Sequence, residues 1–149
     1  MKYRLSAPKD KQLNELVEIR LSAMKPSLVA INRFDPIRAR KRFTETYDPA
    51  NTTCILMTEK LVGFYVLIDN GDHLLLDHFY IKPEAQGKGL GSLIVAEIKN
   101  RADSQSQRVK LGALRGSKSN DFYKRHGFVE THESEFDIHY QYTPSAYSL

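Results

Sequence analysis

The sequence predicts a mixed α/β domain, with a central, mostly antiparallel sheet of about seven strands flanked by four helices. Three observations carry this. The middle of the chain, Thr52 to Lys82, holds three apolar, strand-like runs separated by turn residues. Stretches on either side place apolar residues at 3.6-residue spacing. A glycine-rich segment, Gln86-Gly87-Lys88-Gly89-Leu90-Gly91, then joins the last of those runs to a helical pattern.

Taken in order, Lys2 to Ser6 reads as a first strand. After Pro8, residues Leu13, Leu16, Val17, Leu21 and Met24 line one helical face, and Pro26 is expected to end that helix. Lys25 to Asp35 has no clear period and reads as a loop. A more basic helix follows, with Pro36 in its first turn, and runs toward Tyr47. Asp48 to Asn51 is a turn. Thr52 to Thr58 and Leu61 to Asp69 are strands joined through Glu59-Lys60. Asn70-Gly71-Asp72 predicts a tight type I′ connection into His73 to Lys82, which is apolar on both faces, as a covered central strand should be. Leu90, Leu93, Ile94 and Ile98 mark a third helix that frays near Arg101 to Ser106. Arg108 to Leu114 is a strand, and a short helix starting at Ser117-Lys118-Ser119 ends in a glycine cap at His126-Gly127. Phe128 to Thr131 and Phe136 to Tyr142 are the last strands. Residues 1–142 thus form one domain, and Thr143 to Leu149 form a loose tail.

The 149 residues fit a single domain that needs no staple. The lone cysteine, Cys54, excludes an internal disulfide, and its apolar neighbours make it a buried strand residue rather than a reactive thiol. No run approaches the length of a membrane span, and the N-terminus lacks a signal peptide's apolar stretch, so the expected location is the cytoplasm. Net charge is +4, from 22 basic and 18 acidic residues, too mild an excess to diagnose nucleic-acid binding. Arg33, Arg38, Arg40, Lys41 and Arg42 form a local cluster that reads first as a solvated helix face and second as a patch for an anionic ligand.

The glycine segment carries the chemistry. Glycines at alternate positions remove side chains where the backbone turns from strand to helix. Amide N–H groups can then converge on an anion, and the helix N-terminus adds partial positive charge. Lys88 can add a side-chain charge. The dinucleotide fingerprint is excluded, because the spacing is G-x-G-x-G and a meander precedes it. Gly112 to Ser119 misses the Walker loop twice, with three residues between its glycines and serine before the lysine.

Gln86-x-x-Gly89-x-Gly91 after a hydrophobic strand resembles the acetyl-coenzyme A motif of the GNAT N-acetyltransferase superfamily. About 30 residues on, Asn120-Asp121-Phe122-Tyr123-Lys124-Arg125-His126-Gly127-Phe128 is similar to the family's C-terminal motif, Phe/Leu-Tyr followed by three residues and Gly-Phe. The resemblance covers nearly the whole chain. It implies the GNAT fold and acetyl-CoA as co-substrate. It implies that backbone groups of Phe79, Tyr80 and Ile81 pair with the pantetheine arm, at a strand that a bulge commonly splays in this family. It also implies that Gln86, Gly87, Lys88, Gly89, Leu90, Gly91 and Ser92 form the pyrophosphate site, and that Tyr123 serves the departing thiolate. The family often has asparagine seven residues before this tyrosine. Here that position is Gly116, which leaves Asn120 as the nearest polar candidate for a coenzyme contact. A homodimer through the terminal strands is common for this resemblance.

An amine attacks a thioester only when neutral, which for a lysine-like amine at pH 7 is about one molecule in 2,500. Many family members carry a glutamate on the fourth strand where this chain has Leu75. Asp77 and His78 are the nearest ionisable groups, on opposite faces of the strand, and each has a structural reading beside the catalytic one. Tyr123 likewise has a core reading beside its catalytic one. His73, His126, His132 and His139 are scattered without metal-ligand spacing, so no metal site is assigned. The expected activity is acetyl transfer to a primary amine of a small molecule or peptide. Its alternatives are a non-catalytic acyl-coenzyme A sensor and a nucleic-acid binder acting through the basic cluster, a partner class the charge does not favour. Glu130, Glu133, Glu135 and Asp137 form an acidic stretch, a solvated turn or an attractor for a cationic amine.

Overall fold

The computed structural model describes residues 1–145 of the chain. Its elements are β1 (Arg4–Ser6), α1 (Leu13–Ala30), α2 (Pro36–Thr46), β2 (Thr52–Met57), β3 (Lys60–Asp69), β4 (His73–Ile81), α3 (Leu90–Gln105), β5 (Arg108–Leu114), α4 (Ser119–Arg125), β6 (Val129–Glu133) and β7 (Asp137–Tyr142). The strands hydrogen-bond in the order β1-β2-β3-β4-β5-β7-β6. Seven strands and four helices among the described residues make the mixed α/β class that the sequence predicts. β4 and β5 are parallel, pairing His73, Leu74 and Leu75 with Arg108, Val109 and Lys110. The β1–β2, β2–β3, β5–β7 and β6–β7 pairs are antiparallel.

Contacts divide the chain into two compact units. One comprises Met1–Val66 with His78–Lys88, the other Leu67–Asp77 with the residues from Gly89 onward. Each is built from two separate segments, and β3 and β4 each contribute residues to both.

In the first unit α1 buries Leu16, Val17, Ile19 and Leu21, the stripe its spacing predicts. Pro26 does not end this helix, which continues to Ala30, so the expected loop from Lys25 shrinks to the residues between Ala30 and Pro36. Pro26 lies on the exposed side of the helix, where water can satisfy the carbonyl that loses its N–H partner. α2 begins as its sequence implies: the Asp35 carboxylate accepts from the Arg38 N–H at 3.1 Å, and Pro36 occupies the first turn. Arg20 of α1 donates to the Ala39 carbonyl at 2.8 Å, and Arg40 pairs with Glu18. Phe43, at the buried side of α2, meets Phe64 of β3 edge-on with centroids 5.6 Å apart. Cys54 is fully buried, and burial pushes its thiol up to about 11. The β2–β3 turn is centred on Thr58 and Glu59 instead of Glu59-Lys60, both in the left-handed region at φ 49° and 62°. Arg4 holds the Glu59 carboxylate at 2.7 Å and keeps it below the usual carboxylate range.

In the second unit the β3–β4 connection is not type I′, since only Gly71 of its residues has positive φ. The Asp69 carboxylate accepts from the Gly71 N–H and from Gln107, which closes the loop without a left-handed Asn70. β4 is buried at Leu74 and Leu76 and only partly covered beyond them. α3 buries Leu90, Ile94, Val95, Ile98 and Ala102, whereas Leu93 faces outward. The helix does not fray at Arg101; it runs to Gln105 and is closed by Ser106 at φ 53°. β5 lays Val109, Leu111 and Ala113 into the core opposite Tyr142, Tyr140 and Ile138 of β7. Of the tail expected to be loose, Pro144 is fully buried, Thr143 and Ser145 are exposed, and residues 146–149 lie outside the described residues.

Candidate functional site

The glycine segment turns the chain out of β4 and into α3. Pro83–Ala85 forms one 3₁₀ turn, and the Gln86 side-chain Nε2 then donates to the Ile81 carbonyl at 2.7 Å, tying the segment to the strand end. Gly87 and Gly89 are left-handed at φ 75° and 83°, while Gly91 lies in the first turn of α3. A Cβ at Gly87 or Gly89 would meet nothing within 4 Å, so packing does not require these glycines. The backbone conformation does, and so would close approach by a ligand. Gly89 occupies the N-cap of α3 and supplies no capping side chain, which leaves the first-turn amides of a 16-residue helix to an external acceptor. Lys88 and Ser92 are exposed beside them.

On β4, Asp77 is exposed and His78 half-buried. The His78 Nδ1 lies 3.0 Å from the Tyr80 hydroxyl, two residues along on the same face, and Tyr80 donates to the Met24 sulfur at 3.5 Å. The Phe43 ring stands edge-on to the imidazole at 5.1 Å. Sequence reasoning used Tyr80 only for its backbone; its hydroxyl, which orients His78, is visible only once α1 and β4 are placed.

α4 presents Tyr123 to the core of the second unit. The ring is 7% exposed and lies 5.5 Å from Phe128 and 6.5 Å from Tyr140. Asn120 is committed to protein partners: Nδ2 donates to the carbonyls of Leu114 and Ser117 at 2.9 and 3.0 Å, and Oδ1 accepts from the Tyr140 hydroxyl at 2.7 Å. These bonds brace α4 against β5 and β7. Gly116 sits at φ 83° in the turn after β5. His126, scattered in the sequence, comes to Ser92 in the first turn of α3, with Nε2 and Oγ 3.1 Å apart. Of the acidic stretch, Glu133 pairs with Arg115 at 2.9 Å. Among the described residues no group of three His, Cys, Asp or Glu is placed to hold a metal, and no helix is long and apolar enough to cross a membrane.

Residues 21–147 match the family model of the acetyltransferase (GNAT) domain. The chain belongs to the GNAT acetyltransferase family. Members use acetyl-CoA to acylate an acceptor, and the GNAT assignment accounts for the fold and for the two motifs above. Among solved structures this GNAT domain is similar to the PaiA N-acetyltransferase of Thermoplasma acidophilum in complex with coenzyme A. That likeness has 17% identity and a TM-score of 0.78, and covers 96% of this chain and 99% of that one. It is also similar to the ribosomal-protein-S18-alanine N-acetyltransferase of Escherichia coli, at 13% identity and TM-score 0.72, covering 95% and 94%. No curated protein matches its sequence.

Proposed function

We propose that this GNAT domain transfers the acetyl group of acetyl-CoA to a primary amine of a small molecule or peptide, acting in the cytoplasm as one catalytic domain. The observation that carries the donor half is the pair of left-handed glycines leading into an α3 N-terminus without a capping side chain. The donor set fits a pyrophosphate: backbone amides from Gly87 to Ser92, the helix end and the exposed Lys88. Phe79, Tyr80 and Ile81 are the strand residues that the family resemblance assigns to the pantetheine arm, a main-chain pairing that is tolerant of side-chain identity. Acetyl-CoA supplies the activated acyl group, and no metal is required of the chain for that chemistry.

Tyr123 is the residue assigned to the leaving thiolate. Its ring is fixed by Phe122, Phe128 and Tyr140, so its hydroxyl is held in one direction by packing. For the amine proton, His78 is favoured over Asp77: it is half-buried, and the Tyr80 hydroxyl orients its ring. The acceptor half rests on the primary amine alone, since an uncharged attacking nitrogen is what the thioester needs.

The test is a panel of amines, amino acids and short peptides incubated with acetyl-CoA, with free thiol and acetylated product both measured. Thiol release that depends on an amine, with mass added to nitrogen, is the expected result. Tight coenzyme binding with no acceptor acetylated would overturn the enzymatic reading and favour a sensor.

A further inference from the structure

We propose that His126 couples coenzyme binding to uptake of a proton, its imidazole becoming cationic when the pyrophosphate occupies the N-terminal turn of α3. The proposal rests on the coenzyme reading of that turn. His126 caps the C-terminus of α4, where its own N–H is held by the last turn and Gly127 follows in the left-handed region. Its carbonyl accepts from Lys99 Nζ of α3 at 2.9 Å, and its ring stacks obliquely on Phe122 at 4.6 Å, so the imidazole is anchored from both helices. Nε2 then reaches Ser92 Oγ at 3.1 Å, in the third residue of α3.

This contact changes with the ring's protonation. With a neutral ring that carries its proton on Nδ1, the Ser92 hydroxyl donates to Nε2. With an imidazolium Nε2–H donates to Ser92, and the serine proton is released to point elsewhere. The second form offers two changes that suit an anion at the helix end: a positive charge one side chain away, and a hydroxyl donor freed to turn toward it. The proton comes from solvent and forms an N–H bond on the ring, and no bond between heavy atoms is made or broken.

In the free protein the surroundings disfavour the charged form. Burial, then Lys99 of α3, then Arg125 of α4 hold the ring below the ordinary histidine range. These cations are the charged groups that bear on the ring from the two helices packed against it. An anion at the α3 terminus opposes them directly. By linkage, a ring whose pKa rises on binding makes affinity greatest at low pH and lost as pH climbs through the complex's pKa.

The probe is dephospho-CoA, which keeps the pyrophosphate and lacks the phosphomonoester that itself titrates near pH 6. Calorimetric affinity should weaken about tenfold between pH 5 and pH 8 if binding raises the ring by about one unit. NMR titration of the His126 imidazole should show that rise directly in the wild-type protein. His126→Gln should bind with an affinity that no longer follows pH across this range. An imidazole that titrates identically with and without dephospho-CoA overturns the proposal, as does an undiminished pH dependence in His126→Gln. Absence of binding at every pH overturns this proposal and the coenzyme reading together, whereas pH-independent binding overturns only the role of His126.

Discussion

Asn120→Ala separates a brace from a coenzyme ligand. Asn120 and Tyr140 are 8% and 1% exposed, and the tyrosine hydroxyl donates to Asn120 Oδ1 at 2.7 Å. Truncation leaves that hydroxyl buried without its acceptor and takes the amide donor from the Leu114 carbonyl. Each stranded group costs roughly 1–3 kcal/mol, and alanine's better helix propensity offsets about 0.5 kcal/mol. The net expectation is a loss of about 3 kcal/mol, equivalent to roughly 6–12 °C in Tm for a chain of this size. Tyr140→Phe removes the stranded hydroxyl, so the double variant should be more stable than the sum of the single losses implies, by about 1 kcal/mol. Urea unfolding of the four proteins measures this. Additive losses, or a fully stable Asn120→Ala with weakened coenzyme affinity, would refute the brace and return Asn120 to the binding site.

Other perturbations test the remaining assignments. Gly89→Val should abolish the thermal stabilisation by acetyl-CoA, because a branched side chain is strained at φ 83° and stands where phosphate would approach the amides; a folded variant that still shifts with coenzyme removes the cradle. Tyr123→Phe keeps the ring's packing and should lower kcat by about 10–100-fold with little change in KM for coenzyme; wild-type turnover returns Tyr123 to the core. Gly63→Ala should destabilise by about 1–3 kcal/mol, since its Cβ would stand 2.4 Å from the Tyr80 carbonyl oxygen, and unchanged urea unfolding would show that the strands can part there at no cost. With its thiol pushed up to about 11 and fully buried, Cys54 should resist a thiol reagent at pH 8 until the protein is unfolded; prompt labelling of native protein would contradict its placement.

What was legible in the sequence was local. Strands and helices follow from residues a few positions apart, and the glycine segment and the Phe122-Tyr123 to Gly127-Phe128 stretch are contiguous, so their resemblance to the two GNAT motifs could be seen without the fold. Where local rules failed, solvent or a distant partner decided. Pro26 reads as a helix end, yet an exposed site lets water take its lost hydrogen bond and α1 continues. Asn-Gly reads as a type I′ turn, yet Asp69 and the distant Gln107 close that loop differently, while Thr58-Glu59, a poor turn sequence, takes two left-handed residues with Arg4 holding Glu59. The hydrogen bond from the Tyr140 hydroxyl to Asn120, twenty residues away, could not be read from the sequence. His126 read as one of several scattered histidines because Ser92 lies 34 residues away. Periodicity reports which face of an element is apolar. Which polar groups meet across elements depends on how the chain returns on itself, and that is set by packing in three dimensions.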